Sequence, residues 1–250
     1  SLKDISDSLK AKPYSDYQEQ YGDVARAKKE IIINAVDYDP EATTAEVSVV
    51  TDYEGRSGKA LMVGDTDLVS WTINVPEDGM YSIKVEYASV TDKTNSIERV
   101  LYINGTVPFS EARYLQLKKT WVNKYTDGRF EIDSNGNELR PRAYVVHEWN
   151  TYELIDSNGY YANPFEFYFS KGENTIAFEG VRESVVIGSI TLFPYEDKPS
   201  FEEYAKGKKA DRRKKFGGKL TEIKYRIYRK LEKELQEKGL VPRDFPLWFD

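Results

Sequence analysis

The sequence predicts an all-β protein, an antiparallel β-sandwich of the jelly-roll type. Three observations support this prediction. Apolar and polar residues alternate in short runs between residues 30 and 196, turn-forming residues separate these runs, and the runs number about eight or nine. A series of short alternating strands of this kind is typical of an antiparallel sandwich or jelly roll.

Two of the predicted strands flank the turn sequence Pro-Glu-Asp-Gly at residues 76–79. In each strand every second residue is apolar: Val69, Trp71, Ile73 and Val75 before the turn, and Tyr81, Ile83, Val85 and Tyr87 after it. A short turn between two alternating runs predicts a β-hairpin. Because Trp71 is in phase with the apolar residues of its strand, we expect it in the core.

The other strands are predicted in order along the chain. A strand over residues 97–103 ends at Asn104 and Gly105, a pair that favours a tight turn because glycine adopts positive φ. Alternating apolar residues on both sides of residues 170–174 predict a second hairpin: Phe165, Phe167 and Phe169 before the turn, and Ile176 and Phe178 after it. The remaining strands are predicted at residues 31–38, 45–53, 60–63 and 185–193.

Two extensions flank the predicted sandwich, which covers residues 30–196. Residues 1–29 are predicted as a helical or linker extension, and residues 197–250 as a basic linker followed by an amphipathic helix. Ser15 with Gln18, and Ser200 with Glu203, have the spacing of a helix-capping box. The C-terminal stripe repeats at helical spacing and is expected to pack on the body or on a neighbouring domain: Leu220, Ile223, Ile227, Leu231 and Leu235.

Composition and charge exclude several functions. The chain has no cysteine and one histidine, which excludes disulfides, thiol catalysis and a multi-histidine metal site within one chain. Residues 1–200 hold 33 acidic and 21 basic residues, whereas residues 201–250 hold 9 acidic and 15 basic ones. An acidic body repels phosphates, so no nucleic acid partner is expected for it. No apolar run approaches the roughly 20 residues that span a bilayer, so membrane insertion is not expected either.

Residues 106–163 form an insertion in which the alternation weakens. The segment is rich in glycine, asparagine, arginine and aromatic residues. Connections longer than about 12–15 residues are uncommon in compact domains and are often functional. We therefore expect an elaborated loop region on one rim of the sandwich, where a ligand binds.

Several motifs resemble those of carbohydrate-binding modules with a galactose-binding-like jelly roll. They occur in the family's order and spacing: Tyr-Glu-Gly-Arg-Ser-Gly-Lys-Ala-Leu at 53–61, Val-Ser-Trp-Thr-Ile-Asn-Val-Pro at 69–76, Gly-Met-Tyr-Ser-Ile at 79–83, Leu-Tyr-Ile-Asn-Gly at 101–105 and Lys-Gly-Glu-Asn-Thr-Ile at 171–176. The resemblance covers roughly residues 30–194, apart from much of the insertion. It implies glycan binding at the outside of a bacterial cell. Residues 164–172 are also similar to modules attached to extracellular sugar-binding lipoproteins.

The resemblance also raises the question of a structural Ca²⁺. Such modules often hold the ion through acidic residues on the first strand and an aspartate on the last strand. Here those positions are Asn34-Ala35-Val36 and Ile187-Gly188, so two expected carboxylate ligands are missing. Asp37 is then the candidate ligand, and the resemblance leaves a structural Ca²⁺ open.

Sugar recognition needs a flat aromatic ring against the apolar face of a pyranose, and polar groups that hold the hydroxyls. The candidate aromatic residues are Tyr53, Trp121, Trp149, Tyr160 and Tyr161. The candidate polar residues are Arg56, Arg140, Arg182 and Glu183, with Arg142 and Asn158 beside them. Two alternatives stay open: the tryptophans seal the insertion onto the sandwich, and the arginines form surface ion pairs.

Together these observations predict a non-catalytic carbohydrate-binding module, extracellular or at the cell surface, whose partners are a glycan and neighbouring domains of a larger chain. Catalysis is not expected, because His147 is the single histidine and neither Glu148 nor Glu183 lies in a recognisable glycosidase pattern. We expect His147 to be a hydrogen-bonded residue of the insertion. The alternative is a protein-docking or interdomain module that uses the basic C-terminal tail.

Overall fold

The computed structural model describes residues 11–125, 130–197, 206 and 229–239. The chain divides into two compact units, Ser1–Tyr195 and Glu196–Asp250. In the first unit, helix α1 spans Tyr14–Tyr21 and short 3-10 helices span Ala35–Asp37, Tyr53–Gly55 and Ser110–Arg113. The strands are β1 (Ile31–Asn34), β2 (Val47–Thr51), β3 (Lys59–Val63), β4 (Leu68–Val75), β5 (Gly79–Ser89), β6 (Ile97–Ile103), β7 (Leu115–Leu117), β8 (Thr120–Asn123), β9 (Ala143–Val146), β10 (Trp149–Glu153), β11 (Glu166–Phe169), β12 (Gly172–Arg182) and β13 (Val185–Phe193).

These strands form an antiparallel β-sandwich, which confirms the predicted fold class. The larger sheet has the order β10-β5-β13-β3-β2, with β1 also paired to β13 and β11 to β5. The second sheet has the order β4-β12-β6-β7. Strands β8 and β9 pair only with each other among the described residues. We call these two strands, with the described residues between them, the ribbon.

The core lies between the two main sheets and uses the alternation seen in the sequence. Trp71 of β4 is fully buried, and its Nε1 donates a hydrogen bond to the Ala35 carbonyl at 2.9 Å. From the opposite sheet, the odd-numbered residues of β5 are buried against it: Tyr81, Ile83, Val85 and Tyr87. The predicted core position of Trp71 is therefore confirmed, and the even-numbered residues of β5 are left on the outer face of the larger sheet.

Both predicted hairpins are wrong. β4 pairs with β12 whereas β5 pairs with β13, β10 and β11, so residues 76–78 carry the chain from one sheet to the other. Residues 170–171 make the same crossing between β11 and β12. The Lys171 N–H donates to Asp78 Oδ1 at 2.6 Å and links the two crossings. The tight turn at Asn104 and Gly105 is confirmed by positive φ angles of 50° and 75°.

The segment at residues 106–163, predicted as an elaborated loop region, contains four short strands among its described residues, joined by irregular segments. β7 extends the smaller sheet beside β6, and β10 extends the larger sheet beside β5. Between them, β8 and β9 form the ribbon. Thus the insertion widens both sheets of the sandwich and adds a separate two-stranded element.

The segment before β1 packs on the sandwich. Tyr14 is buried, and its hydroxyl accepts the Glu166 N–H at 2.9 Å. Its burial raises the pKa of the Tyr14 phenol to about 12. The capping box predicted at Ser15 is not formed: Pro13 is the N-cap and Ser15 lies inside α1. Proline suits this end of a helix, where the first N–H groups have no partner within the helix.

In the second unit, the described residues 229–237 form a helix, α2. Three predicted features of this unit lie outside the described residues. They are the capping box at residues 200 and 203, the basic linker, and the stripe residues Leu220, Ile223 and Ile227. Among the described residues, no helix is long and apolar enough to cross a membrane.

Candidate functional site

The nine predicted binding residues fall in four places. Tyr53, Arg56 and Trp149 come together on the outer face of the larger sheet. Trp121 and Arg140 belong to the ribbon, and Tyr160 and Tyr161 follow a turn at Asp156. Arg182 is the last residue of β12, and Glu183 follows it. The first group is the largest convergence, and we call it the Trp149 cluster.

Trp149 is held in place by strand pairing and by a neighbouring loop. It begins β10 opposite Ala88 of β5, and its indole Nε1 donates to the Tyr53 carbonyl at 2.8 Å. The Tyr53 ring lies edge-on, with 6.3 Å between the ring centroids. The Tyr53 hydroxyl in turn donates to the Ser89 carbonyl at 3.2 Å, and partial burial together with Glu54 raises the Tyr53 pKa. The indole is therefore fixed in orientation while it remains partly exposed.

Arg56 covers the Trp149 ring and neutralises a carboxylate on the sheet. Its Cζ lies 4.9 Å from the ring centroid, a cation–π distance. Its Nε and Nη2 donate to the two Glu86 oxygens, both at 3.0 Å, and Nη1 donates to the Lys59 carbonyl at 3.2 Å. Bidentate pairing of this kind fixes both side chains, so the platform and its polar neighbours are pre-organised.

A glycine on β13 makes room for this pair. A Cβ atom at Gly188 would lie 2.5 Å from Glu86 Oε2 and 2.9 Å from the Arg56 guanidinium carbon. The strand bulges between Ile187 and Ser189, and the Ser189 hydroxyl donates to Glu86 Oε2 at 3.1 Å. Gly188, which stands where the resemblance leads us to expect a metal ligand, thus leaves the space that the Arg56–Glu86 pair occupies.

The loop that carries Tyr53 and Arg56 has an unusual backbone. Asp52 and Glu54 have φ angles of 52° and 46°, which non-glycine residues adopt at a cost of about 1 kcal/mol or more each. Asp52 Oδ1 accepts the Gly58 N–H at 2.8 Å and closes the loop. Such conformations persist only where the surrounding contacts enforce them, and here those contacts position Arg56 over Trp149.

Chemically, the Trp149 cluster offers an aromatic surface on a polar sheet face without a local excess of charge. Thr151 of β10 lies opposite Glu86, and Glu153 lies opposite Lys84. Glu86 was missed in the sequence because it alternates with core residues like any outward-facing strand residue. Only the pairing of distant segments reveals its contact with Arg56.

The ribbon exposes the other tryptophan among the candidates. Trp121 is 42% exposed and pairs across the ribbon with the buried Val145. Arg140 lies in the segment that returns to β9 and is exposed. Tyr125, Phe130 and Tyr144 are also exposed, which makes the ribbon rich in accessible aromatic rings.

The two tyrosines after Asp156 differ from each other. The buried Asp156 carboxylate accepts the N–H groups of Asn158, Tyr160 and Tyr161, which fixes the turn. The side chain of Tyr160 projects into solvent at 85% exposure. Tyr161 instead packs edge-on against Tyr14, with ring centroids 5.0 Å apart. Its ring therefore contributes to packing.

Glu183 lies in a buried polar network. Its carboxylate accepts the Thr91 hydroxyl and lies 3.5 Å from Lys119 Nζ, and both charged side chains are only 2–3% exposed. Burial opposes ionisation, but Thr91, Lys119 and Lys93 outweigh it and lower the Glu183 pKa. Arg182, by contrast, is a surface residue 3.6 Å from Glu98. The structure thus gives Glu183 a packing role and Arg182 an ion pair.

Arg99 lies beneath the same turn and was not anticipated. Its guanidinium donates to the carbonyl oxygens of Glu98, Arg182, Gly64 and Glu183, at 2.8–3.3 Å. Burial lowers its pKa to about 10. The buried cation thereby links three chain segments at this end of the sandwich, in a protein that has no cysteine for a disulfide.

His147 lies between a serine and an aspartate, but the exposure of these two partners does not suit catalysis. Nδ1 lies 3.0 Å from the Ser89 hydroxyl and Nε2 lies 3.1 Å from Asp92 Oδ1. Ser89 is buried, whereas the Asp92 side chain is 86% exposed. A hydrolytic triad needs an accessible serine and a sheltered acid, the reverse of this arrangement. The expected role as a hydrogen-bonded insertion residue fits these contacts.

In the described part of the chain, the candidate metal ligand Asp37 is paired with an amide and is not grouped with other carboxylates. Its Oδ2 accepts the Asn34 side-chain amide at 3.1 Å. Across residues 11–125, 130–197, 206 and 229–239, no three His, Cys, Asp or Glu side chains group as metal ligands would. A Ca²⁺ site takes six to eight oxygens, usually with several carboxylates, and Asp37 contributes a single carboxylate to such a set.

No protein-family model and no curated protein matches the sequence. Among solved structures, the chain is similar to a GH26-CBM35 β-(1,4)-mannanase from Podospora anserina, with 14% identity, a TM-score of 0.43, and coverage of 70% of this chain but 29% of the mannanase. It is also similar to a family 35 carbohydrate-binding module from Clostridium thermocellum, with 14% identity, a TM-score of 0.41, and coverage of 67% of this chain and 100% of the module. A third is the C-terminal CBM6 of a Zobellia galactanivorans laminarinase, with 15% identity, a TM-score of 0.38, and coverage of 66% and 99%. These likenesses are distant, and the fold is defined by the strand pairing described above.

Proposed function

We propose that this chain is a non-catalytic carbohydrate-binding module that binds a glycan at the Trp149 cluster. The observation that carries the proposal is an indole held rigidly on a polar sheet face. Its orientation is fixed by the 2.8 Å hydrogen bond to Tyr53 and by the Arg56 guanidinium 4.9 Å away. Rigid aromatic surfaces lose little entropy when a sugar ring packs on them.

The polar groups around the indole suit an uncharged sugar. The Arg56 guanidinium and the Glu86 carboxylate neutralise each other at 3.0 Å, so neither presents a net charge to a ligand. Both still have capacity to exchange hydrogen bonds with hydroxyl groups, and Thr151 adds an exposed hydroxyl opposite Glu86. A neutral hexose or pentose unit of a polysaccharide fits this chemistry.

The proposal excludes catalysis because of the states of two carboxylates, Glu86 and Glu183. Glycosidic hydrolysis needs a proton-donating carboxylic acid and a second free carboxylate. Glu86 is engaged by Arg56 and Ser189, and Glu183 is buried with a lowered pKa. An extracellular setting, and attachment to further domains of a parent chain, belong to the same proposal.

The test is glycan binding by wild type and variants on an array of neutral plant and microbial polysaccharides, followed by titration calorimetry. Trp149→Ala is expected to weaken binding at least tenfold, because the stacking contact and the apolar area buried with it together contribute about 1.5 kcal/mol or more. Trp149→Phe keeps a ring and should retain part of the affinity. Tyr114→Ala, which removes a 53% exposed aromatic ring elsewhere, is the matched control.

Unchanged affinity in a folded Trp149→Ala variant would exclude this site. If wild type binds none of the glycans, the proposed function itself is wrong. Thermal denaturation of each variant separates lost binding from lost folding.

A further inference from the structure

One face of the ribbon places two cations beside an exposed aromatic ring. Val122 of β8 pairs with Tyr144 of β9, and the Lys124 N–H donates to the Arg142 carbonyl at 2.8 Å. Lys124 and Arg142 are therefore the next cross-strand pair. Because residues two apart in a strand share a face, Lys124, Arg142 and Tyr144 project from the same side of the ribbon.

This arrangement is unfavourable for the isolated chain. Like charges directly opposite each other destabilise a strand pair. Both side chains are exposed, and neither forms an ion pair with a carboxylate in the part of the chain that the structure describes. Acidic residues outnumber basic ones by 33 to 21 over residues 1–200, yet none of those described neutralises this pair.

We propose that this ribbon face binds an anionic group, carboxylate or sulfate, of an acidic polysaccharide. The inference rests on the proposed function in taking the ligand to be a glycan. The Tyr144 ring, 49% exposed, packs against the sugar, while the Arg142 fork and the Lys124 ammonium bind the anion. Binding replaces the repulsion between the two cations with two charge-assisted hydrogen bonds.

Charge complementarity distinguishes this occupant from the alternatives. A neutral glycan would leave the repulsion between Lys124 and Arg142 unrelieved. Nucleic acid is also a polyanion, so DNA is one of the polymers compared in the experiment below. An acidic polysaccharide carries its anionic group on a sugar ring, and this face offers two cations beside the exposed Tyr144 ring.

The experiment compares four polymers of stated chemistry: polygalacturonate for carboxylate, dextran sulfate for sulfate, dextran as the neutral counterpart, and duplex DNA as an unrelated polyanion. Affinity is measured by affinity electrophoresis at low and high salt for wild type, for Lys124→Gln with Arg142→Gln, and for Tyr144→Ala. The control is Lys28→Gln with Lys171→Gln, which removes the same charge at exposed lysines whose described contacts use only the backbone N–H.

The expected result is a loss of at least tenfold in affinity for one or both acidic polymers in the ribbon double variant, with a weaker salt dependence and an unchanged control. Tyr144→Ala should also weaken that binding, whereas the affinity for neutral glycans at Trp149 stays unchanged. The relative loss for polygalacturonate and dextran sulfate identifies the anion.

Four outcomes would overturn the inference. Neutral binding that depends on Trp149 without any acidic binding overturns it and leaves the proposed function intact. Acidic binding that survives both ribbon variants overturns the location. Binding of DNA and both acidic polymers alike, insensitive to Tyr144→Ala, shows unspecific attraction between polyions. A lack of binding to every neutral and acidic polymer overturns the proposed function as well.

Discussion

The Trp149 cluster and the ribbon face around Tyr144 contain similar residues in opposite states. In the cluster, an aromatic ring lies under an arginine whose charge Glu86 neutralises at 3.0 Å. On the ribbon, Tyr144 lies beside Lys124 and Arg142, which face each other across the strands without a described carboxylate partner. The arginine of the first arrangement has its carboxylate partner within the protein, whereas we propose that the two cations of the second receive one from a ligand.

This difference teaches that residue type alone does not define a ligand. In the two proposals, the arginine beside an aromatic ring serves a neutral sugar where a carboxylate holds it, and an anion where a second cation faces it. Three changes, from the largest expected effect to the smallest, test the buried ion pair next to the ribbon and then each of the two regions.

The largest expected effect on stability comes from the buried ion pair between Lys119 and Glu183. Lys119, just before β8, reaches the buried Glu183 carboxylate at 3.5 Å. Glu183→Gln leaves the Lys119 ammonium buried without its counter-charge and is expected to cost about 3 kcal/mol in the free energy of unfolding. Urea denaturation at neutral pH measures this loss, with Glu148→Gln, an exposed carboxylate beside β10, as the control.

The pH dependence of the same pair follows from the lowered Glu183 pKa. Below its ordinary value of 4.5, the unfolded chain takes up a proton that the folded protein still excludes. Stability from this group is therefore complete above that pH and is lost as pH falls through the folded-state pKa. The difference between wild type and Glu183→Gln should shrink on acidification. A difference that stays constant down to pH 3 would contradict the ion pair.

Much of the sandwich was predictable because burial imposes a period of two on its strands. Trp71, Tyr81 and Phe178 all fall on the buried face that alternation assigns to them. The hairpins were not predictable, because strands that face one core from opposite sheets have the same alternation as strands that pair. Only the choice of partner differs, and that choice depends on β12 and β13, about a hundred residues further on.

The residues of the Trp149 cluster were predictable in type but not in grouping, and those of the ribbon face were not predictable. Tyr53, Arg56 and Trp149 were each expected, yet their meeting depends on the pairing of β10 with β5 and on the loop after β2. Lys124 and Tyr144 had no signal in the sequence, since the register of β8 and β9 alone places them together. Short-range patterns cannot specify a register set by tertiary packing.

The second change breaks the neutral pair in the Trp149 cluster. Gly188→Ala places a Cβ atom 2.5 Å from Glu86 Oε2, so the bidentate contact with Arg56 must open. We expect a loss of about 1–2 kcal/mol in the free energy of unfolding, since hydrogen bonds between charged groups contribute about that much. Affinity for a neutral glycan should fall at least tenfold, as measured by calorimetry, while acidic binding at the ribbon is unchanged.

The control for Gly188→Ala is Gly64→Ala. There the new Cβ would meet its nearest atom, the Glu46 carbonyl oxygen, at 3.4 Å, the edge of an ordinary van der Waals contact. A similar loss of glycan affinity in both variants would show that the effect is not specific to the Arg56–Glu86 pair.

The smallest effect has the opposite sign. Lys124→Gln removes one of two like charges that face each other across the ribbon, and it should stabilise β8 and β9 by a few tenths of a kcal/mol at low salt. Hydrogen exchange of the Lys124 and Tyr144 amides should slow slightly in the variant, and high salt should abolish the gain because exposed charges are screened. Asn123→Gln, the preceding residue on the other face of the ribbon, is the neutral control. Faster exchange in Lys124→Gln would mean that the lysine stabilises the free ribbon, and the contrast between a neutralised cluster and an unrelieved ribbon face would then be lost.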